Sequence, residues 1–233
     1  MREYIRGLKD GIPICLGYIS VSFAFGLMAA RGGMSLAAAV IISMTNLTSA
    51  GQFAGMDIIL SNGGLLELAL ATFIINIRYL LMSLSLSQRV DPKTGTLKRL
   101  VMSFGITDEI FALSMQRSGD ITFRYFLGIM TLPYIGWSFG TFLGGFASAL
   151  LPELIRKSLG IAIYAMFIAI IVPPAKKSRP VLNIILIAVA VSAALNIIPV
   201  LSGLSGGWKI IISTLAAAGI GAYIYPEKEV RDI

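Results

Sequence analysis

Histidine is absent from the 233 residues, cysteine occurs once, and Asp, Glu, Lys and Arg together make only 13% of the chain. Each scarcity removes a class of function. A lone Cys15 forbids an intrachain disulfide and, without histidine, offers no metal cluster. No metal or organic cofactor is expected. Without histidine, a side chain carrying a proton near neutral pH has to be a carboxylate. The lack of histidine also argues against an intramembrane enzyme, which needs a nucleophile and a base. Long polar connections are missing, so no sizeable soluble domain is expected.

What remains is apolar. Hydrophobic residues are 56% of the chain and the mean hydropathy is +0.84. Charge-free runs cover Gly11–Ala30, Gly32–Met56, Tyr125–Pro152, Ser158–Ala175 and Pro180–Trp208. A run of about 20 apolar residues spans the hydrocarbon core as a helix. A β-barrel would instead show short alternating segments. The expectation is an all-α polytopic transmembrane helix bundle of about 6–8 segments. Their approximate limits are 12–30, 36–60, 65–87, 98–117, 122–150, 156–172, 181–199 and 208–225. They are expected to form a single integral membrane domain over 1–233, with weak two-half organisation (1–118 and 122–225) as a possibility. Gly11–Ala30 reads as the first transmembrane helix, since no small-residue cleavage site follows it. The net charge of +7 reads as basic residues sorted to the cytoplasmic side, not as nucleic-acid binding.

Charge sorting bears on topology. If all eight segments cross from a cytoplasmic N-terminus, ten Lys/Arg lie inside and seven outside. If 36–60 and 98–117 return to the side they entered from, Arg89, Lys93, Lys98 and Arg99 move inside, and the count becomes fourteen against three. Only Arg31, Arg156 and Lys157 then fall outside, as positive-inside sorting demands. Both termini are cytoplasmic in this reading, and the membrane is the plasma membrane. The same two segments are chemically odd. The first contains Thr45-Asn-Leu-Thr-Ser-Ala-Gly-Gln52, and the second carries Gly105, Thr107, Asp108 and Glu109 at its middle. Both are therefore expected to be broken or re-entrant, with plain crossing helices as the alternative. Irregular backbone at membrane depth persists only where protein or a water-filled cavity covers it.

Arg78 stands in the middle of the otherwise charge-free stretch Leu68 to Gln88. A cation at that depth costs roughly 2.5–3.5 kcal/mol on insertion scales, so it reads as facing a cavity, an anion or a substrate. Asp108 or Glu109 is the expected partner in a buried ion pair, with Asp108 favoured; the other would face water and carry protons. On a continuous helix Glu67 shares a stripe with Arg78, three turns away, which makes Glu67 a candidate for the cavity mouth. Asn46, Thr48, Ser49, Gln52 and Asn76 could complete a set of hydrogen bonds to substrate. Asp57 reads as interfacial, and Asn196 with Pro199 as a bend or cap. The ladder Gly136, Gly140, Gly144 lets another helix approach closely, either within this chain or across a subunit interface.

The elements Gly11-Ile-Pro13, Gly17 and Phe25-Gly26, then Ser49-Ala-Gly-Gln-Phe53, Asn76-Ile-Arg-Tyr79 and Thr107-Asp-Glu-Ile-Phe-Ala112 together resemble the AzlC family of branched-chain amino acid permeases. The resemblance implies a large subunit working with a small membrane subunit of AzlD type. It implies proton-driven export of branched-chain or related apolar amino acids. Arg78 would meet the substrate carboxylate and Asp108 or Glu109 its ammonium. A channel or facilitator for a small anionic or zwitterionic solute, with Arg78 as the selectivity charge, is the alternative.

Overall fold

The computed structural model describes residues 1–150, 168, 171–199 and 203–226. The expected segment 156–172 lies almost entirely outside them, as do Arg156, Lys157, Lys228 and Arg231. The chain is all-α. Its helices are α1 (Arg2–Arg31), α2 (Leu36–Thr45), α3 (Ser49–Leu60), α4 (Leu65–Asn76), α5 (Arg78–Ser87), α6 (Thr96–Phe104), α7 (Asp108–Met115), α8 (Phe123–Leu150), α9 (Arg179–Ile197) and α10 (Gly206–Ile224). A further stretch, 171–177, is also helical. Among the described residues four helices are long and apolar enough to cross a membrane, in α1, α8, α9 and α10. The α4–α5 pair makes a fifth if counted as one broken span.

Both chemically odd segments are broken. The first splits into α2 and α3 around 46–48, and the second into α6 and α7 around 105–107. Asn46 leaves α2 with extended backbone (φ −143°, ψ 104°). Thr107 is also extended, and its hydroxyl accepts from the Ile110 N–H, capping α7. A third break was not expected. The apolar run 65–87 stops at Asn76 and restarts at Arg78. Neither glycine nor proline marks it. Locally the ladder tightens, with the Leu80 N–H donating to the Ile77 carbonyl at 3.0 Å.

The chain forms two compact units. The first comprises Met1–Phe53 and Ile75–Ile163. Its spine is the pair α1–α8, which runs parallel and in contact along its whole length. Glycines make that possible. A Cβ on Gly128 would lie 2.3 Å from the Tyr4 carbonyl oxygen, on Gly26 2.0 Å from that of Thr141, and on Gly144 1.9 Å from that of Phe23. Gly136 and Gly140 sit likewise on Cys15 and Ile19. The glycine ladder is thus packing within the chain. Helix α1 also starts earlier than expected, at Arg2. Its charged first turns are tied down: Glu3 pairs with Arg117 at 2.5 Å, and Asp10 accepts from the Tyr125 hydroxyl at 3.0 Å.

One end of this unit gathers the cations. Val90 and Ile121 form an isolated parallel bridge, with Ile121 N–H donating to Arg89 O at 2.7 Å and Asp91 N–H to Ile121 O at 3.1 Å. Gly119, at φ +81°, makes the turn that returns the chain to this bridge; a side chain disfavours that conformation. The Arg89 guanidinium donates to the Arg117 carbonyl at 2.7 Å. The chain therefore leaves along α6, turns at 105–107, and comes back along α7 to the end where α1 begins. Within this unit 98–117 thus leaves and returns to one end, which is the geometry a re-entrant segment requires.

The second unit comprises Ala54–Ile74 and Tyr164–Ile233. Helices α9 and α10 pack together, with Gly221 against Ile184. Ile58, Ala71 and Ile211 make its apolar cluster.

Two outcomes follow from these contacts. Gly144→Ala should be destabilised by about 1–3 kcal/mol, because a methyl would overlap the Phe23 backbone. Gly17→Ala, with nothing within 4 Å of its Cβ position, should be neutral or slightly stabilised. Residual monodisperse protein after heating in detergent ranks the two, and equal melting would contradict the tight α1–α8 contact. Secondly, in a Cys15→Ser background, Lys93→Cys and Ser118→Cys should react with an impermeant maleimide from the same membrane face as a tag on the N-terminus. Labelling of Lys93→Cys from the opposite face would overturn the return of α6–α7.

Candidate functional site

The three breaks meet in the first unit. The Thr48 hydroxyl donates to Asn76 Oδ1 at 2.5 Å, tying the α2–α3 break to the end of α4. Gly51 fits under this pair: its Cβ would lie 2.9 Å from Thr48 Oγ1 and 3.0 Å from Asn76 Oδ1. Thr45, Asn46, Leu47, Thr48, Asn76, Tyr79, Ser103, Phe104 and Ile106 enclose a cavity of about 160 Å³. Its lining combines hydroxyls and amides with the apolar side chains of Leu47, Phe104 and Ile106.

Tyr79 joins this cavity to the charges. It lines the cavity, its hydroxyl accepts from Arg78 Nη2 at 3.3 Å, and the guanidinium carbon lies 5.0 Å from its ring centroid. Arg78 Nη1 is ion-paired with Asp108 Oδ2. The geometry has an electrostatic logic. Arg78 opens α5 and Asp108 opens α7. A helix N-terminus carries partial positive charge, so Arg78 alone would be poorly placed. The Asp108 carboxylate offsets both Arg78 and the end of its own helix. The expected buried pair is corrected in one respect. The two side chains are 39% and 41% accessible, because both stand at helix starts, where no further turn covers them.

Glu109 takes a different partner. Adjacent residues project about 100° apart on a helix, and while Asp108 meets Arg78, Glu109 Oε2 accepts from the Tyr18 hydroxyl at 2.6 Å. Tyr18 Oη is also 2.7 Å from Thr107 Oγ1. Tyr18 lies midway along α1, so the α6–α7 break is fixed at mid-height of the spine. The Tyr18 ring meets Trp137 edge-on at 5.1 Å, and Trp137 Nε1 donates to Gln52 Oε1 at 2.9 Å. Gln52 Nε2 donates to Ser43 Oγ at 2.6 Å, and Ser43 shares a 2.7 Å hydrogen bond with Thr141. These side chains, 0–2% exposed from Ser43 to Trp137, pin α2 and α3 to α8. Both ends of the Gln52 amide are therefore engaged by protein.

The structure thus brings together Asn46, Thr48 and Asn76 around the cavity, with Arg78, Asp108 and Glu109 beside it. Ser49 is the first residue of α3 and half-buried. Glu67 belongs to the second unit. Glu67 is 5% exposed. It accepts from Ser205 Oγ and, at 3.2 Å, from the Trp208 N–H, so it caps the start of α10. A Cβ on Gly207 would lie 2.3 Å from its Oε1. Tyr18, Tyr79 and Trp137 escaped the sequence reading because aromatic residues in apolar runs look like packing. Their one signal is a hydroxyl or indole N–H at membrane depth, which needs a partner. Among the described residues no group of three acidic or cysteine side chains could hold a metal.

Known proteins resemble this chain in sequence. The family model described as AzlC protein matches residues 13–151. Inner membrane protein YgaZ of Escherichia coli is 30% identical over 173 residues, covering 71% of each chain. An uncharacterized membrane protein of Archaeoglobus fulgidus is also 30% identical, over 73% of this chain and 75% of its own. The branched-chain amino acid transport protein AzlC of Bacillus subtilis is 24% identical over 72% of this chain and 66% of its own. No solved structure matches significantly. The family match spans the α2–α3, α4–α5 and α6–α7 breaks together with the α1–α8 spine that holds them, and this membrane protein belongs to the AzlC family.

Proposed function

We propose that this chain is a secondary transporter subunit that exports branched-chain or related apolar amino acids across the plasma membrane. It is coupled to protons and acts with a small AzlD-type membrane subunit, both termini being cytoplasmic. The observation that carries the reading is the meeting of three helix breaks at mid-height of the spine, with an accessible Arg–Asp pair beside a half-polar cavity. Discontinuous helices near the midplane are a recurrent substrate-site design in secondary transporters. An amino acid presents an anion, a cation and an apolar side chain. The helix starts at 49, 78 and 108 and the Arg78 guanidinium favour the anion. The carbonyl ends of α2, α4 and α6 and the Asp108 carboxylate favour the cation. Leu47, Phe104 and Ile106 receive the side chain. A cavity of about 160 Å³ suits a solute well below drug size, for which pockets are roughly 300–1,000 Å³. The name of the Bacillus subtilis relative supports the substrate class.

In this mechanism the substrate competes with the ion pair. Its carboxylate takes Arg78 and frees Asp108 to meet the ammonium or a proton. Glu109, held by Tyr18, is the second proton carrier. Thr48 and Asn76 orient the bound solute, with Asn46, Ser49 and Gln52 completing the hydrogen bonds as the breaks rearrange.

Arg78→Lys keeps the charge but not the planar fork that grips a carboxylate. Leucine transport in proteoliposomes should fall about 10- to 100-fold, the loss of one hydrogen bond to a charged group at roughly 1.5–3 kcal/mol. Near-normal transport by the folded variant would reject the carboxylate clamp. Glu109→Gln should abolish accumulation driven by a pH gradient while sparing leucine counterflow, which moves no net proton, and Asp108→Asn should abolish accumulation and weaken leucine binding as well. If both variants still accumulate leucine, the proton does not travel on these carboxylates.

A further inference from the structure

A second cavity lies between α5 and α6, and it is larger, about 260 Å³. Its walls run from Val90 and Thr96, at the basic end of the first unit, to Ser103 and Ile106. Ser103 and Ile106 also line the cavity at the breaks. The two spaces therefore share a wall made of one small polar and one apolar side chain. Along α5, from Ser87 to Arg78, the distance is about 14 Å at 1.5 Å per residue. That is roughly half of a 30 Å hydrocarbon core. The two cavities together divide the path from the basic end to mid-height into two adjoining steps.

We propose that the α5–α6 cavity is a second solute site, a vestibule that takes a small apolar carboxylate at the basic end and hands it to the cavity at the breaks. This rests on the transporter reading above. Its chemistry fits an amphipathic anion. Leu86 and Met102, each 2% exposed, give it an apolar floor. Arg99 stands at its mouth, where Nε donates to the Thr94 carbonyl at 2.9 Å. That bond engages the guanidinium through Nε. The cavity walls are otherwise mostly apolar, since the Ser87 and Ser103 hydroxyls donate to the Leu84 and Leu100 carbonyls of their own helices, so Arg99 supplies its polar end. The neighbouring cations Arg89, Lys93 and Lys98 attract anions to the same end.

Ile106 is the natural valve. It is 7% exposed, packs in the cluster with Leu86 and Met102, and immediately precedes the Thr107–Asp108 cap of α7. A shift at the α6–α7 break therefore moves the shared wall and the ion pair together, linking solute entry to release of Arg78 from Asp108.

The test uses the Cys15→Ser chain carrying Ser83→Cys, with Ser87→Cys as a second variant. It is reconstituted with its small subunit so that the basic end is accessible. A bulky impermeant maleimide added at that face should stop most leucine flux, and leucine should slow the modification several-fold. Arg99→Gln should raise the half-saturating leucine concentration at the same face several-fold with the maximal rate unchanged. Full flux after complete modification, with a rate of modification indifferent to leucine, overturns the vestibule and leaves the transporter reading intact. Protection by oleate but not by leucine assigns the cavity to lipid and also overturns it. A parent protein that carries no leucine in either orientation overturns both readings.

Discussion

A helix that stops inside a bilayer leaves its last carbonyls and the next helix's first amides without partners, and lipid supplies none. Each such group costs energy comparable to a lost hydrogen bond, about 1–3 kcal/mol. Much of the first unit can be understood as the answer to that cost. Thr107 caps α7 with its own hydroxyl. Thr48 and Asn76 bond across two breaks. Tyr18 reaches from the middle of α1 to Thr107 and Glu109. The closed chain of Trp137, Gln52, Ser43 and Thr141 fixes the segments on either side of the 46–48 break to α8. Similar economy operates in the second unit, where the Glu67 carboxylate serves the start of α10.

These arrangements make polarity at membrane depth structural and chemical at once. The groups that satisfy the breaks are also the groups a zwitterion would meet. In the proposed mechanism a substrate that enters replaces protein partners with its own charges, and the ion pair of Arg78 and Asp108 holds the place of that ligand. Its partial accessibility matters here, since a sealed pair could not exchange partners without dismantling the site. Buried pairs that are fully enclosed also add little net stability, and an open one adds less.

Much of this was legible in the sequence, for physical reasons. Composition gave the helical membrane class. The polar run at 45–52 and the Gly-Ile-Thr-Asp-Glu run at 105–109 gave two of the three breaks, because helix-poor polar residues at membrane depth have few other uses. The cation count anticipated that 98–117 returns to its starting end. The third break was hidden, since 65–87 contains neither proline nor glycine and its only polar signals near the middle are Asn76 and Arg78. Reading that run as one helix placed Glu67 on the Arg78 stripe, whereas within the second unit its carboxylate serves the start of α10. The Gly136–Gly140–Gly144 ladder announced a close helix neighbour but not which one. Nothing in one helix's sequence names the residues that face its glycines.

The α1–α8 pairing also sets a schedule. Tyr4 and Thr131 meet across 127 positions of sequence. At about 5–20 residues per second of synthesis, the small-residue face of α1 waits on the order of ten seconds in the membrane before its partner is made. During that interval α2 to α7, with their breaks and charges, arrive with no finished spine to hold them. Assembly of the first unit is thus last-in, all-closed: the helix that completes the spine is also the one that brings Trp137 and Thr141. Nascent chains arrested before α8 should be the form most dependent on the insertion machinery and most exposed to membrane proteases.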